Sequence, residues 1–107
     1  MGLDAQVIAI GEFSEKVLPA LEYPEDFYTD VLPGQTVIVN VFIGSTSTES
    51  HQLAQAFGVD AMELGKHHLN PENADLEVLQ SIFGKDDVHQ FLVLKENGFN
   101  FYYLPNA

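Results

Sequence analysis

Apolar positions crowd most densely between Gln35 and Phe57, QTVIVNVFIG-STSTES-HQLAQAF. Val37, Ile38, Val39, Val41, Phe42 and Ile43 leave only Asn40 polar inside the run. A strand that is apolar on both faces is covered on both faces, so Gln35 to Ile43 is expected in the interior of a sheet. A hydroxyl-rich turn follows, then a helix. Thr46 with Glu49 three residues later is a capping box, in which two side chains satisfy orphan backbone donors. Gly58 is the expected C-terminal stop of that helix.

Earlier in the chain, Leu3 to Ile10 reads as a first strand. Leu3, Ala5, Val7 and Ala9 fall on one face, and Ile8 and Ile10 make its far end apolar on the other face too. Ser14 can cap a short helix, which Pro19 should break or kink. Val17, Leu18 and Leu21 would be its core-facing residues. Leu32-Pro33-Gly34-Gln35 has the proline and glycine of a type II turn.

Beyond the central helix, Asp60 and Glu63 form a second capping box, with Val59 and Leu64 as a hydrophobic staple; Gly65 keeps that helix short. Asn70-Pro71 is a cap with proline at the first helical position. Leu76, Leu79, Ile82 and Phe83 then form an apolar stripe ending at Gly84. Asn97-Gly98, flanked by apolar runs, predicts a type I′ hairpin from Phe91 to Tyr103. Its turn would pair Leu94 with Phe101 and Leu92 with Tyr103. One face would carry Leu92, Leu94, Phe99, Phe101 and Tyr103 towards the helices. The other, with Phe91, Val93, Lys95, Asn100, Tyr102 and Leu104, would be mixed and open to exposure. The element order predicts one α+β domain over residues 1–107, a mixed four-stranded sheet with a C-terminal β-hairpin and helices mainly on one face.

Charge changes the picture most. Sixteen Asp and Glu oppose four Lys and no Arg among 107 residues, a formal net charge of −12. Hydrophobic content of 46% is that of a globule, so the acidity does not signal disorder. Such a surface repels nucleic acid and anionic lipid, and it draws in basic proteins. The chain has no cysteine, which excludes disulfides and thiolate chemistry and is compatible with a cytoplasmic setting. MGLDAQVIAIGEF lacks the basic n-region of a signal peptide. No apolar run approaches the roughly 20 residues that span a bilayer.

Three constellations are candidates for function. Ser45, Thr46, Ser47 and Thr48 join a strand end to a helix start, where backbone N–H groups and hydroxyls can hold an anion or a sugar phosphate. Helix capping accounts for the same residues, Glu49 would oppose a phosphate, and P-loop and dinucleotide fingerprints are absent. His51, His67, His68 and His89 show no ligand spacing of three or four, so no metal or other cofactor is expected. No nucleophile stands in a known catalytic motif, so no enzyme is expected.

The acidic-aromatic segment EYPEDFYTD is the strongest candidate. Tyr23, Phe27 and Tyr28 can anchor an interface, although Phe27 and one Tyr can equally plug the domain's own core while the acids are solvated. Glu22, Glu25, Asp26 and Asp30 can steer a basic partner, a toxin or nuclease for example. In general character (small, acidic, cysteine-free and without an evident active site) the chain resembles the immunity proteins that block bacterial toxins. That resemblance covers no aligned residues. It implies a non-enzymatic inhibitor that occludes a basic partner. The alternatives are an anion-binding domain or enzyme built on Ser45 to Thr48, and a structural protein that oligomerises through its hairpin or edge strand.

Overall fold

Alternation along Asp4–Glu12 buries Ala5, Val7 and Ala9, which makes this strand, β1, one wall of the core. The computed structural model describes residues 4–20, 34–59 and 67–106. After β1 comes a 3₁₀ helix, Glu15–Ala20, then β2, Thr36–Gly44, and helix α1, Ser47–Ala56. A short strand β3, His67–Leu69, and a 3₁₀ turn, Pro71–Asn73, precede helices α2, Leu76–Phe83, and α3, Lys85–Glu96. Strand β4, Asn100–Asn106, closes the chain's described part. The fold is α+β, with a four-stranded sheet ordered β2-β1-β4-β3. Every pairing is antiparallel, so the sheet is not the expected mixed one.

β2 is at the sheet's edge, which corrects the interior placement of Gln35 to Ile43. β1 and β4 are the central strands. Val37 and Val39 face the core while Ile38 and Ile43 are 62% and 54% exposed. The run looks two-sided for a local reason. Register shifts by one residue opposite Val7 and Ile8, so Val41 is an extra residue on β2. That bulge turns both Val41 and Phe42 inwards, breaking the simple alternation.

The C-terminal hairpin is also corrected. Phe91 to Glu96 belongs to α3, and only Asn100–Asn106 is strand. A type I′ turn needs positive φ at both central residues, but Asn97 has φ −97° and Gly98 alone is left-handed at φ 80°. Instead the dipeptide closes α3. The Gly98 N–H donates to the Lys95 carbonyl at 3.2 Å and the Phe99 N–H to the Leu94 carbonyl at 3.1 Å. Those two bonds are a Schellman motif, with Leu94 and Phe99 as its buried apolar pair. Asp86 and Asp87 in the first turn and Lys95 in the last suit the helix dipole. Phe91, assigned to the mixed face, is fully buried. Within β4 the expected alternation holds: Phe101 and Tyr103 face in, Tyr102 and Leu104 are half-buried.

The single helix expected from Pro71 to Phe83 is broken. Asn70 caps only the 3₁₀ turn, its Oδ1 accepting from the Glu72 N–H at 3.1 Å. Asp75 then caps α2 afresh by accepting from the Val78 N–H. Its own N–H donates to the Ala56 carbonyl at 2.9 Å, a tertiary bond that ties the break to the end of α1. Gly58 does stop α1, in a second Schellman arrangement with bonds to the carbonyls of Gln55 and Ala54. Pro19 lies in a 3₁₀ helix, and Val17 is buried there as expected. Leu21, Leu32-Pro33 and the capping box of Asp60 and Glu63 lie outside the described residues.

One core joins these elements. Val7, Val39, Phe42, Phe101 and Tyr103 of the sheet meet Val17, Leu53, Phe57, Leu79, Phe91 and Leu94. Phe42, Phe57, Phe91 and Phe101 form a chain of tilted or edge-on rings, 4.8–6.2 Å between centroids. The helices therefore cover one face of the sheet. The opposite face carries Gln6, Ile8, Ile10, Ile38, Asn40, Ile43 and Tyr102, and none of these joins that core.

Candidate functional site

The turn from β2 into α1 is built by close packing. A Cβ at Gly44 would sit 3.0–3.1 Å from the backbone N, Cα and Oγ of Ser50, so glycine lets the helix's first turn lie against the strand end. Ser50, buried, donates its hydroxyl to the Gly44 carbonyl at 3.2 Å. Thr46 is the N-cap of α1, and its Oγ1 accepts from the Glu49 N–H at 3.1 Å. Glu49 reaches back further than the capping-box pattern predicts. Its Oε1 accepts from the Ser45 N–H at 3.0 Å, one residue before the cap. The helix's positive end thus already holds a carboxylate of this chain. Ser45, Thr46, Ser47 and Thr48 are all exposed around it.

Capping of this kind has a measurable worth. Thr46→Ala is expected to lower stability by about 1 kcal/mol, read from the urea midpoint. Added inorganic phosphate is expected to leave that midpoint unmoved. Saturable stabilisation at sub-millimolar phosphate would make the turn an anion site instead.

Carboxylates gather on the helical layer. Asp75 and Glu77 stand at the start of α2, Asp86 and Asp87 at the start of α3, and Glu72 on the 3₁₀ turn before them. The pattern marks neither Asp75 as a cap, since it falls inside the helix expected after Pro71, nor Asp86 and Asp87 as a helix start, since they fall between that helix and the expected hairpin. Lys95, half-buried, pairs with the exposed Glu72 at 3.3 Å, a surface bridge that adds little to stability. By contrast β2, β3 and β4 contain no Asp, Glu, Lys or Arg, and β1 has acids only at its two ends, Asp4 and Glu12. Among the described residues charge is therefore segregated: the helical elements carry most of the acids together with Lys16, Lys85 and Lys95, and the sheet is nearly uncharged.

An open groove of about 390 Å³ lies where β3 and the following turn meet β4, lined by His68, Leu69, Asn70, Pro71, Phe99, Asn100 and Phe101. His68 is its one titratable lining residue, and its ring lies 5.2 Å from that of Tyr102. Nearby, burial raises the Tyr103 phenol above its ordinary value of 10.0, so it stays neutral at physiological pH. The groove brings together no nucleophile with a base. His51 instead turns back on its own helix, its Nδ1 2.8 Å from the Ser47 carbonyl. Among the described residues no three His, Asp or Glu side chains come together to hold a metal ion, and no helix is long and apolar enough to cross a membrane.

The acidic-aromatic candidates Glu22, Tyr23, Glu25, Asp26, Phe27, Tyr28 and Asp30 lie outside the described residues. No protein family, curated protein or solved structure matches the chain.

Proposed function

We propose that this protein is a non-enzymatic binding domain whose acidic surface meets a basic protein, in the manner of an inhibitor or toxin-immunity protein. The observation that carries this reading is the segregation of charge. A net charge of −12 spread evenly would serve solubility alone. Here the described carboxylates concentrate on the helical layer, where they outnumber Lys16, Lys85 and Lys95 and give a net negative field. Such a field accelerates encounter with a cationic surface and excludes acidic competitors. The basic active site of a nuclease is one surface of that kind, and occlusion of it needs no catalytic group on the inhibitor. Glu22, Glu25, Asp26 and Asp30 would extend the field, with Tyr23 and Tyr28 as anchors, on the strength of their clustering in the sequence.

The test starts from a partner recovered by affinity capture. Association and dissociation rates are then measured for a variant carrying Glu22→Gln, Glu25→Gln, Asp26→Asn and Asp30→Asn. Loss of long-range attraction should lower the association rate about tenfold at low ionic strength. The difference should shrink at physiological salt, where the screening length is about 8 Å. Replacing Tyr23 or Tyr28 should instead speed dissociation, since buried contacts hold the formed complex. An unchanged association rate at low salt would remove these four acids from the site. Recovery of acidic partners alone would sink the reading of the surface.

A further inference from the structure

We propose that β2 pairs edge to edge with β2 of a second copy of this chain, antiparallel, about a two-fold axis at Ile38. This goes beyond the basic partner proposed above and uses a strand edge that carries no charged side chain.

The direction of the backbone groups comes first. The Phe13 N–H donates to the Gln35 carbonyl at 2.8 Å, and the Gly34 N–H donates to the Phe13 carbonyl at 2.9 Å. With Gly34 left-handed at φ 90°, this is a glycine bulge that sets the ladder's phase. Alternation from Gln35 then points the backbone of Val37 and Val39 at β1. The N–H and C=O groups of Thr36, Ile38 and Asn40 point the other way, out of the sheet's open edge. These three residues are exposed, and among the described residues no strand pairs with this edge.

Natural edge strands are usually blunted by lysine, proline or an inward charge. Thr36–Gly44 has none of these. Its one irregularity, the extra Val41, comes after Asn40 and leaves Thr36 to Asn40 regular. The other edge, β3, spans only His67–Leu69 and offers much less backbone.

Register identifies the occupant. With the axis at Ile38, each Ile38 opposes the other, and Thr36 opposes Asn40 on either side. All three outward-pointing residues then form hydrogen-bonded pairs. Axes at Val37 or Val39 leave one of the three out of register with its counterpart. The same axis matches the faces: Val37 opposes Val39 on the inner side, and Ile38 meets Ile38 on the outer. Ile10 lies beside Ile38 on β1, so pairing assembles the Ile10 and Ile38 of both copies into one apolar row.

Charge also permits this contact. Two chains of net charge −12 repel wherever their helical layers meet. Among the described residues the outer sheet face has Glu12 alone near this edge, beside Thr36. Strand spacing and rise place the two Glu12 residues roughly 20 Å apart in the pair, well beyond the screening length of about 8 Å at physiological salt.

Because the chain has no cysteine, one introduced thiol reports on one position. In a hydrogen-bonded antiparallel pair the Cα atoms are about 5.5 Å apart, inside the disulfide range of about 4.4–6.8 Å. Ile38→Cys is expected to give a covalent dimer on mild oxidation. Ile43→Cys, on the same exposed face but off the axis, is expected to form no covalent dimer on the same oxidation. Wild type should sediment at twice the monomer mass at high concentration. Ile38→Lys should sediment as monomer, since two lysines would oppose each other. At dilutions where wild type is monomeric, the thermal transitions of the two should coincide, because the side chain is 62% exposed. Wild type that stays monomeric to its solubility limit would overturn the proposal. So would Ile43→Cys crosslinking as readily as Ile38→Cys, or a dimer that persists in Ile38→Lys.

Discussion

Replacing Phe91 with alanine is expected to lower unfolding stability by about 3–5 kcal/mol, the range for a fully buried phenylalanine. Phe91 is the hub of the aromatic chain. Its ring lies 4.8 Å from Phe101, 5.6 Å from Phe57 and 5.8 Å from Phe42, so it touches β4, the end of α1 and β2 together. No single element can close over the space left behind, because each is held by other contacts. Urea denaturation of Phe91→Ala should therefore show a much lower midpoint, with its slope unchanged if the native fold survives. Leu92→Ala is the informative companion, since Leu92 is only half-buried on α3. In a hairpin the order would reverse, with Leu92 facing the helices and Phe91 on the mixed face. A larger loss for Leu92→Ala than for Phe91→Ala would contradict the helix.

Gly11→Ala should be the second most damaging change, by overpacking. A Cβ at Gly11 would stand 2.5–2.8 Å from the Cγ, Cδ1 and Cδ2 atoms of Phe99. Those atoms lie at the base of the ring, so a small rotation does not relieve the clash. Phe99 is itself fixed twice, by its burial and by its N–H bond to the Leu94 carbonyl. Moving it strains the C-terminal cap of α3 and the entry to β4. Overpacking of this kind costs about 1–3 kcal/mol, occasionally more. The gain from stiffening the unfolded chain, about 0.4–1 kcal/mol, does not offset it. A double-mutant cycle with Phe99→Leu isolates the cause, because the smaller side chain makes room. The two changes should be non-additive, with the double variant recovering part of the loss. Strict additivity would show that Phe99 is not what the new methyl meets.

Local signals in the chain carry the right chemistry and sometimes suggest the wrong role. Asn97-Gly98 does reverse the chain at a left-handed glycine, but a hairpin turn and a helix end ask for the same glycine. FLVL before it is too short a run to show a period of two or of 3.6. Thr46 and Glu49 cap a helix as their spacing requires, and only the bond to the Ser45 N–H departs from the pattern. As for the candidate site, the acidity was fully legible. Its placement on the helical layer was not, since a charge count has no direction until elements are packed.

What the sequence by itself determined is the class and the punctuation: an α+β domain of net charge −12, a first strand, the caps at Thr46 and Asn70, and the stop at Gly58. These depend on bonds between residues a few positions apart, so composition and spacing suffice. Which strand is central, which helix carries Phe91 and where α2 begins were decided only by tertiary structure. Strand order depends on contacts between residues far apart in the chain, such as Val7 with Phe42 and with Tyr103. The bulge at Val41 adds a further tertiary choice, for it turns two successive residues inwards on an edge strand and imitates the pattern of a buried one.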